Sequence, residues 1–170
     1  DEGGNLTICD GSFVNTTQYA LQNWNIAVVE GGSFQSNTMA AVFNGSSEKT
    51  SVGQLTIEGG EFTSPANTSV LAVNNAATTS ISGGTFSSDV SDYLAEGVDL
   101  IANSDGTYTV DELDASNAAA EIGGQYYGTL TEAWSAALSQ GTATITLLKN
   151  VSGQGVLDLN NAEANITVDL

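Results

Sequence analysis

A short motif that recurs four times is the feature of this sequence that most constrains its fold. Each copy has an aliphatic residue, a Gly-containing turn, and a Phe five positions after the aliphatic residue. The four pairs are Ile8 and Phe13, Val29 and Phe34, Ile57 and Phe62, and Ile81 and Phe86. The Phe residues lie 21, 28 and 24 positions apart, a spacing typical of one turn of a solenoid.

The residues around each motif have the pattern of a strand that runs into a tight turn. Before the anchors Ile8 and Ile57, Leu6 and Leu55 alternate with Thr. This period of two is expected for a strand with one buried face. A Gly pair or Asp-Gly follows, where positive φ costs little only for Gly. We therefore expect like residues of successive turns to touch, with the four Phe side chains in one column.

A second segment of each turn ends in Asn, at Asn23, Asn44 and Asn74. Stacked Asn side chains can hydrogen-bond along a solenoid axis as a ladder. Simple turn chemistry accounts for the same residues equally well. Both interpretations predict a second strand before each Asn. The differences in length between turns predict side loops at 45–53 and 63–67.

The motif ends after Phe86, and the next residues predict a closure. Asp105-Gly106 lies between two β-like runs and predicts a hairpin that completes a first domain, 1–112. Residues 113–170 form the predicted second domain. An acidic, Ala-rich stretch at 111–120 is interpreted as a linker between the two.

The second unit is predicted to begin with the run Ile122–Tyr127, and a short helix is predicted to follow. Thr129 and Glu132 have capping-box spacing, and Gly141 is a plausible stop. Strands are expected at 142–148, 155–159 and 165–170. The helix has one apolar stripe, formed by Leu130, Ala133, Trp134, Ala137 and Leu138. The predicted fold class is all-β, a parallel β-helix (solenoid) with a terminal hairpin and a short helix-capped second β unit.

The charge balance excludes several classes of partner. The chain has 20 acidic residues against two basic ones, no His, and a net charge of −18. Nucleic acid is excluded because its phosphates need Lys or Arg to neutralise them, and an anionic membrane surface is disfavoured. No apolar run approaches membrane-spanning length, so membrane insertion is not expected. No cofactor is expected either, although Ca²⁺ is the ion that such an oxygen-rich surface would suit.

The residue types for enzyme chemistry are scarce. General acid–base catalysis draws on His, Lys or paired carboxylates, and only carboxylates are plentiful here. Glu58 and Glu61 flank a Gly-Gly turn with Glu30 nearby, but acidic turn residues are normally solvated. Cys9 aligns with Glu30 and is expected to face outward, and one Cys without His excludes the usual zinc sites. We expect no enzyme activity.

Several runs of the sequence carry a family resemblance, and 89–97 and 121–148 contribute to it beside the two that follow. Ile-Ser-Gly-Gly-Thr-Phe at 81–86 and Asp-Gly-Thr-Tyr-Thr-Val at 105–110 resemble the end of a right-handed parallel β-helix of the pectate-lyase-like superfamily. The likeness is greatest to repeat regions of large, adhesin-like surface proteins of Gram-positive gut bacteria. Many members of the superfamily are polysaccharide lyases or hydrolases that use Arg, or clustered Asp with Gly-His-Gly. This chain lacks Arg and His, so no catalytic residue is carried over.

Three functions stay open from the sequence. The first is a non-catalytic structural or adhesive segment of a secreted or cell-surface protein, whose partner is a host or cell-surface glycan or protein. The second is an extracellular filament subunit, because a solenoid with uncapped ends exposes strand edges that invite head-to-tail homo-oligomers. The third is a carbohydrate-binding or carbohydrate-active β-helix module. Each of the three places the chain outside the cell or on its surface.

Six Asn-x-Ser/Thr motifs match the acceptor pattern for N-linked glycans, and one of them includes Asn44. A chain rich in Asn, Ser and Thr contains several such motifs by chance, and the pattern alone is permissive. The other five begin at Asn5, Asn15, Asn67, Asn150 and Asn165.

Overall fold

The computed structural model describes residues 4–46, 53–74, 76–152, 157 and 164–170. Strands make up 45% of the structure and are its predominant regular element, and one short α-helix is present among the described residues. Contacts between Cα atoms divide the chain into two units, Asp1–Glu112 and Leu113–Leu170. No helix in the described ranges is long and apolar enough to cross a bilayer.

Unit 1 is built from short strands that recur in groups, which we call rungs. Rung 1 contains three strands, β1 (Asn5–Ile8), β2 (Ser12–Asn15) and β3 (Leu21–Asn23). Rung 2 contains β4 (Ile26–Val29), β5 (Ser33–Ser36) and β6 (Val42–Asn44). Rung 3 contains β7 (Gln54–Ile57), β8 (Glu61–Thr63) and β9 (Leu71–Val73). Rung 4 contains β10 (Thr78–Ile81) and β11 (Gly84–Phe86).

Corresponding strands of successive rungs pair in parallel. They form three sheets, in the orders β1-β4-β7-β10, β2-β5-β8-β11 and β3-β6-β9. The apolar side chains of alternating strand positions point inward and form one core, which includes Val29, Phe34, Ile57 and Phe62. The period of two in the sequence therefore places one face of each strand in this core.

A hairpin follows rung 4. A short 3-10 helix (Ser91–Tyr93) leads to β12 (Val98–Ala102) and β13 (Tyr108–Glu112), which are antiparallel. β13 also pairs antiparallel with β11 and extends the second sheet. The hairpin that the Asp105-Gly106 turn predicts is present, and Gly106 has the positive φ of 87° that such a turn needs.

Unit 2 packs one helix on a small sheet. Its strands are β14 (Ala120–Ile122), β15 (Gln125–Tyr127), β16 (Thr142–Leu147) and β17 (Asn165–Asp169), in the order β15-β14-β16-β17. The helix α1 (Leu130–Gln140) buries Leu130, Ala133 and Ala137, and Trp134 packs half-buried against the same core. The predicted strand at 155–159 lies outside the described residues, apart from Leu157.

The predicted capping box opens α1. The Thr129 side chain accepts a hydrogen bond from the Glu132 amide at 3.2 Å, and the Glu132 carboxylate accepts one from the Thr129 amide at 3.0 Å. Gly141 ends the helix with a φ of 75°, and its amide donates to the carbonyl of Ala137. These contacts satisfy backbone groups that a helix end leaves without a partner.

The linker predicted at 111–120 is present only in part: residues 113–117 lie outside the strands, directly after the boundary between the two units. Asp111 and Glu112 belong to β13, whereas Ala118, Ala119 and Ala120 are buried and lead into β14. The Ala residues at 118–120 therefore belong to the buried part of unit 2 and not to the connection between the units. A Gly123-Gly124 turn between β14 and β15 makes a second hairpin that the sequence analysis missed.

Candidate functional site: the residue columns of unit 1

Four Phe side chains form one column across the rungs. Phe13, Phe34, Phe62 and Phe86 are register partners in the second sheet. Their ring centroids are 4.8, 5.0 and 5.0 Å apart, and the rings are within 11° of parallel. This distance equals the separation of paired strands, so each ring rests on the ring of the next rung.

The aliphatic anchors form a second column in the first sheet. Ile8, Val29, Ile57 and Ile81 are register partners, and the last three are fully buried. The structure thus brings together all eight residues of the recurring motif. The six of them in rungs 2 to 4 are buried, whereas Ile8 and Phe13 of rung 1 are partly exposed.

Asn23 and Asn44 make the ladder contact that the sequence suggested. They are register partners, and the Asn23 side-chain amide donates to the Asn44 side-chain oxygen at 2.8 Å. The Asn44 amide in turn donates to the Thr78 carbonyl at 2.8 Å and to the Thr79 hydroxyl at 2.9 Å. Asn44 is fully buried, so these hydrogen bonds compensate for the loss of water around its amide.

The inclusion of Asn74 in that ladder is wrong. The register partner of Asn44 in rung 3 is Val73, one position earlier. The segment after Phe62 is longer than its counterparts and turns through Asn67, which has a positive φ of 64°. Because side chains alternate between faces along a strand, a shift of one residue removes Asn74 from the column. Its side chain instead donates to the Ser46 carbonyl.

A polar corner that the sequence analysis missed lies two residues after the Phe in the first three rungs. The Asn15 oxygen accepts from the amides of Thr17 and Gln18, and the Ser36 hydroxyl oxygen accepts from the amide of Met39 at 3.0 Å. The Ser64 hydroxyl donates to the Thr68 carbonyl at 3.0 Å. In the sequence, this corner is marked by the Phe-x-Asn/Ser pattern that ends each motif. The hydrogen bonds of the Asn or Ser side chain fix the bend between the second and third sheets.

Glycine turns line a shallow groove across the rungs. The groove has a volume of about 510 Å³ and is lined mainly by Gly backbone, with Asp10, Ser33, Glu61 and Thr85 at its edges. A Cβ added at Gly59 would lie 2.6 Å from the Glu30 carbonyl oxygen of the rung below. Only Gly therefore lets the turns stack this closely, and the groove floor consists of peptide groups.

The acidic turn residues are exposed beside this groove. Glu30 and Glu58 follow β4 and β7 directly, and their amides donate to the carbonyls of Ile8 and Val29 at 2.8 Å. Glu30 lies next to Cys9, and its carboxylate raises the pKa of that exposed thiol by hydrogen bonding and by its charge. A raised pKa reduces the thiolate fraction, which is the reactive form.

Metal-ligating side chains are dispersed in the described part of the chain. No three His, Cys, Asp or Glu residues there are grouped so that they could hold a metal ion. The Asn103–Thr107 turn, whose sequence resembles the start of a calcium loop, uses Asp105 internally. Its carboxylate accepts from the Thr107 hydroxyl at 2.7 Å and from the Thr107 amide at 3.0 Å.

Comparison with known proteins identifies no related family, protein or structure. No protein-family model matches the chain, and no curated protein or solved structure matches it significantly.

Proposed function

We propose that this chain is a non-catalytic structural or adhesive segment of a secreted or cell-surface protein, and that unit 1 is a parallel β-helix. The observation that carries the proposal is the shared register of four Phe residues in the second sheet and of four aliphatic residues in the first. A parallel β-helix has this arrangement, because each turn of the chain adds one strand to every sheet.

The surface chemistry supports a structural or adhesive role. A net charge of −18 with no His keeps the exterior solvated and lacks the groups that activate nucleophiles. The side chains that the sequence repeats are interior ones, whereas the exposed positions of the turns vary from rung to rung. A regular interior with a variable exterior suits a rigid support that presents side loops to a partner. The resemblance to adhesin-like surface proteins agrees with this role and with an extracellular location.

A binding assay with the whole chain tests the proposal. Beads that carry residues 1–170 are exposed to an array of cell-surface glycans and to intact epithelial cells, and beads with an unrelated protein of similar negative charge serve as the control. We expect retention on cells or on a defined glycan, and no unsaturated or reducing sugar product from acidic polysaccharides. Turnover of any of those polysaccharides would refute the non-catalytic role.

The groove favours a second candidate function, carbohydrate binding. It crosses four rungs between Asp10 and Thr85, and its floor carries backbone carbonyl oxygens that can each accept a further hydrogen bond from a sugar hydroxyl, with the Glu61 carboxylate at its edge. The amides of Ser33, Glu61 and Thr85 already donate to carbonyls of the preceding rung. Glu61→Gln should weaken glycan retention if the groove is the binding site. Glu58→Gln is the matched control, because Glu58 is exposed in the same turn but does not line the groove. Equal retention by both variants would exclude the groove.

A further inference from the structure

The dipeptide Asn44-Gly45 at the end of β6 combines a buried side chain with a reactive sequence. It is the only Asn-Gly pair in the chain. In an unfolded chain, the backbone nitrogen that follows an Asn can attack the side-chain carbonyl carbon of that Asn. Gly permits this attack most readily, because it has no side chain beside the attacking nitrogen and restricts the backbone least. The chain therefore carries its most reactive side-chain amide at a position that is fully buried in unit 1.

The reaction converts the Asn44 amide into a carboxylate in two steps. In the first step, the Gly45 nitrogen bonds to the Asn44 side-chain carbon. The side-chain nitrogen leaves as ammonia and takes with it the proton that the Gly45 nitrogen gives up. In the second step, water opens the resulting five-membered imide at either of its carbonyl groups. The products are Asp and isoaspartate, and water is the only co-reactant.

The fold restrains the attacking nitrogen. The Gly45 amide donates to the Asn23 carbonyl at 2.8 Å, and this hydrogen bond holds the proton that the nitrogen must lose. The imide ring also requires a backbone ψ at Asn44 outside the β region, whereas Asn44 is the last residue of β6. Ring closure therefore requires rungs 1 and 2 to separate at this point.

The side chain under attack is held as well. The Asn44 oxygen accepts from the Asn23 side chain at 2.8 Å, and the Asn44 nitrogen donates to the Thr78 carbonyl and the Thr79 hydroxyl at 2.8 and 2.9 Å. The backbone at Gly53 covers the Asn44 oxygen, since a Cβ added there would overlap it. Because Asn44 is fully buried, the water that opens the imide is kept away too.

The products of the reaction do not fit the site that Asn44 occupies. A carboxylate has no hydrogen to donate, so an Asp at this position would place a buried negative charge against the Thr78 carbonyl oxygen. Isoaspartate adds one atom to the backbone and changes the direction of the residues that follow β6. A chain that has reacted therefore cannot rebuild the contacts of Asn44 with rungs 1 and 4.

We propose that Asn44-Gly45 is a latent deamidation site, which is unreactive in folded unit 1 and reacts when the strands around β6 separate. Unfolding of unit 1 then becomes irreversible with time, because the unfolded chain is converted into a form that cannot refold. The proposal does not depend on an adhesive role.

Incubation of the whole chain at mildly alkaline pH, in buffer and in guanidinium chloride, tests the protection of Asn44. Released ammonia and the masses of peptides cleaved after Glu measure the rate and locate the modified residue. We expect Asn44 to react first in the denatured chain and at least about a hundredfold more slowly in buffer, because a stable domain is unfolded in about one molecule in a thousand or fewer. Similar rates in both solutions, or faster modification of another Asn in the denatured chain, would overturn the proposal.

A pair of neighbouring Thr residues tests whether the hydrogen bonds of Asn44 provide the protection. Thr79→Val removes the hydroxyl that accepts from Asn44 and should raise the rate in buffer by roughly fivefold, the effect of one hydrogen bond on the opening equilibrium. Thr78→Val is the matched control, since the Thr78 side chain is exposed and its carbonyl still accepts from Asn44. Circular dichroism checks that both variants are folded. Equal rates for the two would refute the protective role of these hydrogen bonds and the proposal with it.

Refolding after increasing times in denaturant tests the irreversible step. The fraction of the chain that regains the native circular dichroism should fall in proportion to the fraction modified at Asn44. Asn44→Asp supplies one of the two products directly and should show the same loss without any incubation. Complete refolding of the modified chain, or a native spectrum and unchanged stability for Asn44→Asp, would overturn the proposal.

Discussion

The two units bury their apolar side chains in different ways, although short strands dominate both. In unit 1 the same residue type recurs at the same position, so Phe34 contacts Phe13 on one side and Phe62 on the other. In unit 2 each core residue occurs once, and the face of α1 that carries Ala133 and Ala137 packs against the sheet. A change in a middle rung of unit 1 therefore affects two neighbouring rungs, whereas a change in unit 2 affects a local set of contacts.

Each unit contains one Trp residue, whose fluorescence can report the unfolding of that unit. The two residues are Trp24 in unit 1 and Trp134 in unit 2. Trp134→Phe and Trp24→Phe leave a single fluorophore in unit 1 or unit 2 respectively. Denaturant unfolding of each single-Trp protein then reports the free energy of unfolding of one unit, and every variant below can be read in both backgrounds.

The largest expected effect follows from emptying the middle of the Phe column. Phe62→Ala should reduce the free energy of unfolding of unit 1 by about 3–5 kcal/mol, because Phe62 is buried and stacks on Phe34 and Phe86. Phe13→Ala should cost clearly less, because Phe13 has one stacked partner and is partly exposed. Trp24 fluorescence measures both variants. Equal costs would contradict the column as the source of stability.

A smaller loss is expected from a methyl group in a glycine turn. A Cβ at Gly83 would lie 2.3 Å from the Glu58 carbonyl oxygen, so Gly83→Ala must separate rungs 3 and 4 locally. The expected cost is about 1–3 kcal/mol in unit 1. Gly4→Ala is the control, since nothing lies within 4 Å of that Cβ. A neutral Gly83→Ala would show that the turns stack less tightly than the structure has them.

The next effect concerns unit 2 alone. Thr129→Ala removes the side-chain oxygen that accepts from Glu132 and should cost about 1 kcal/mol, as measured by Trp134 fluorescence. Ser139→Ala, in the last turn of the same helix, removes an exposed hydroxyl that bonds only to the Ser135 carbonyl and should change the stability by no more than a few tenths of a kcal/mol. If Thr129→Ala shifted the unfolding transition reported by Trp24 by the same amount, the two units would unfold together and not independently.

The smallest effect is a difference in titration between the units. Hydrogen bonds from the Thr107 side chain and amide lower the pKa of Asp105 in unit 1, and those from Ser116 lower the pKa of Asp114 in unit 2. Because the pKa is lower in the folded state, each ionised carboxylate stabilises the fold at pH values above the ordinary pKa of Asp. This contribution is lost as the pH falls through the lowered pKa.

Thr107→Val should return the pKa of Asp105 toward its ordinary value and leave that of Asp114 unchanged. Carboxyl carbon shifts followed by NMR between neutral and strongly acidic pH measure both groups in one sample. A parallel shift of both carboxyls would mean that the general charge of the protein, rather than the Thr107 hydrogen bonds, controls their titration.

The repeated interior of unit 1 was predictable from sequence, because the aliphatic residue and the Phe have the same spacing in every copy of the motif and so occupy equivalent positions in every rung. The aliphatic residue and the Phe five positions later flank a glycine turn of constant length, so their register follows from the motif itself. Asn74 was not predictable in the same way. Its distance from Phe62 exceeds that of Asn44 from Phe34, and sequence alone does not show which of two adjacent residues points inward after a longer turn.

Unit 2 was predictable only where local chemistry decides the structure. Thr129 and Glu132 fix the start of α1 through hydrogen bonds within one turn, and Gly141 fixes its end. The burial of Ala118, Ala119 and Ala120 depends on contacts with distant parts of the unit. Small apolar residues occur in linkers and in tight interiors alike, so their composition favoured the wrong alternative.

The burial of Asn44 has a consequence for how the protein is made. Asn44-Gly45-Ser46 matches the acceptor pattern of oligosaccharyltransferase, which acts on chains as they emerge into the secretory pathway. A sugar attached there before folding would occupy the space that the Asn44 amide needs to reach Thr78, and rungs 2 and 4 could not come together. We therefore expect a eukaryotic secretory host to retain the glycosylated chain inside the cell because it does not fold. Ser46→Ala, which removes the acceptor pattern, should restore secretion.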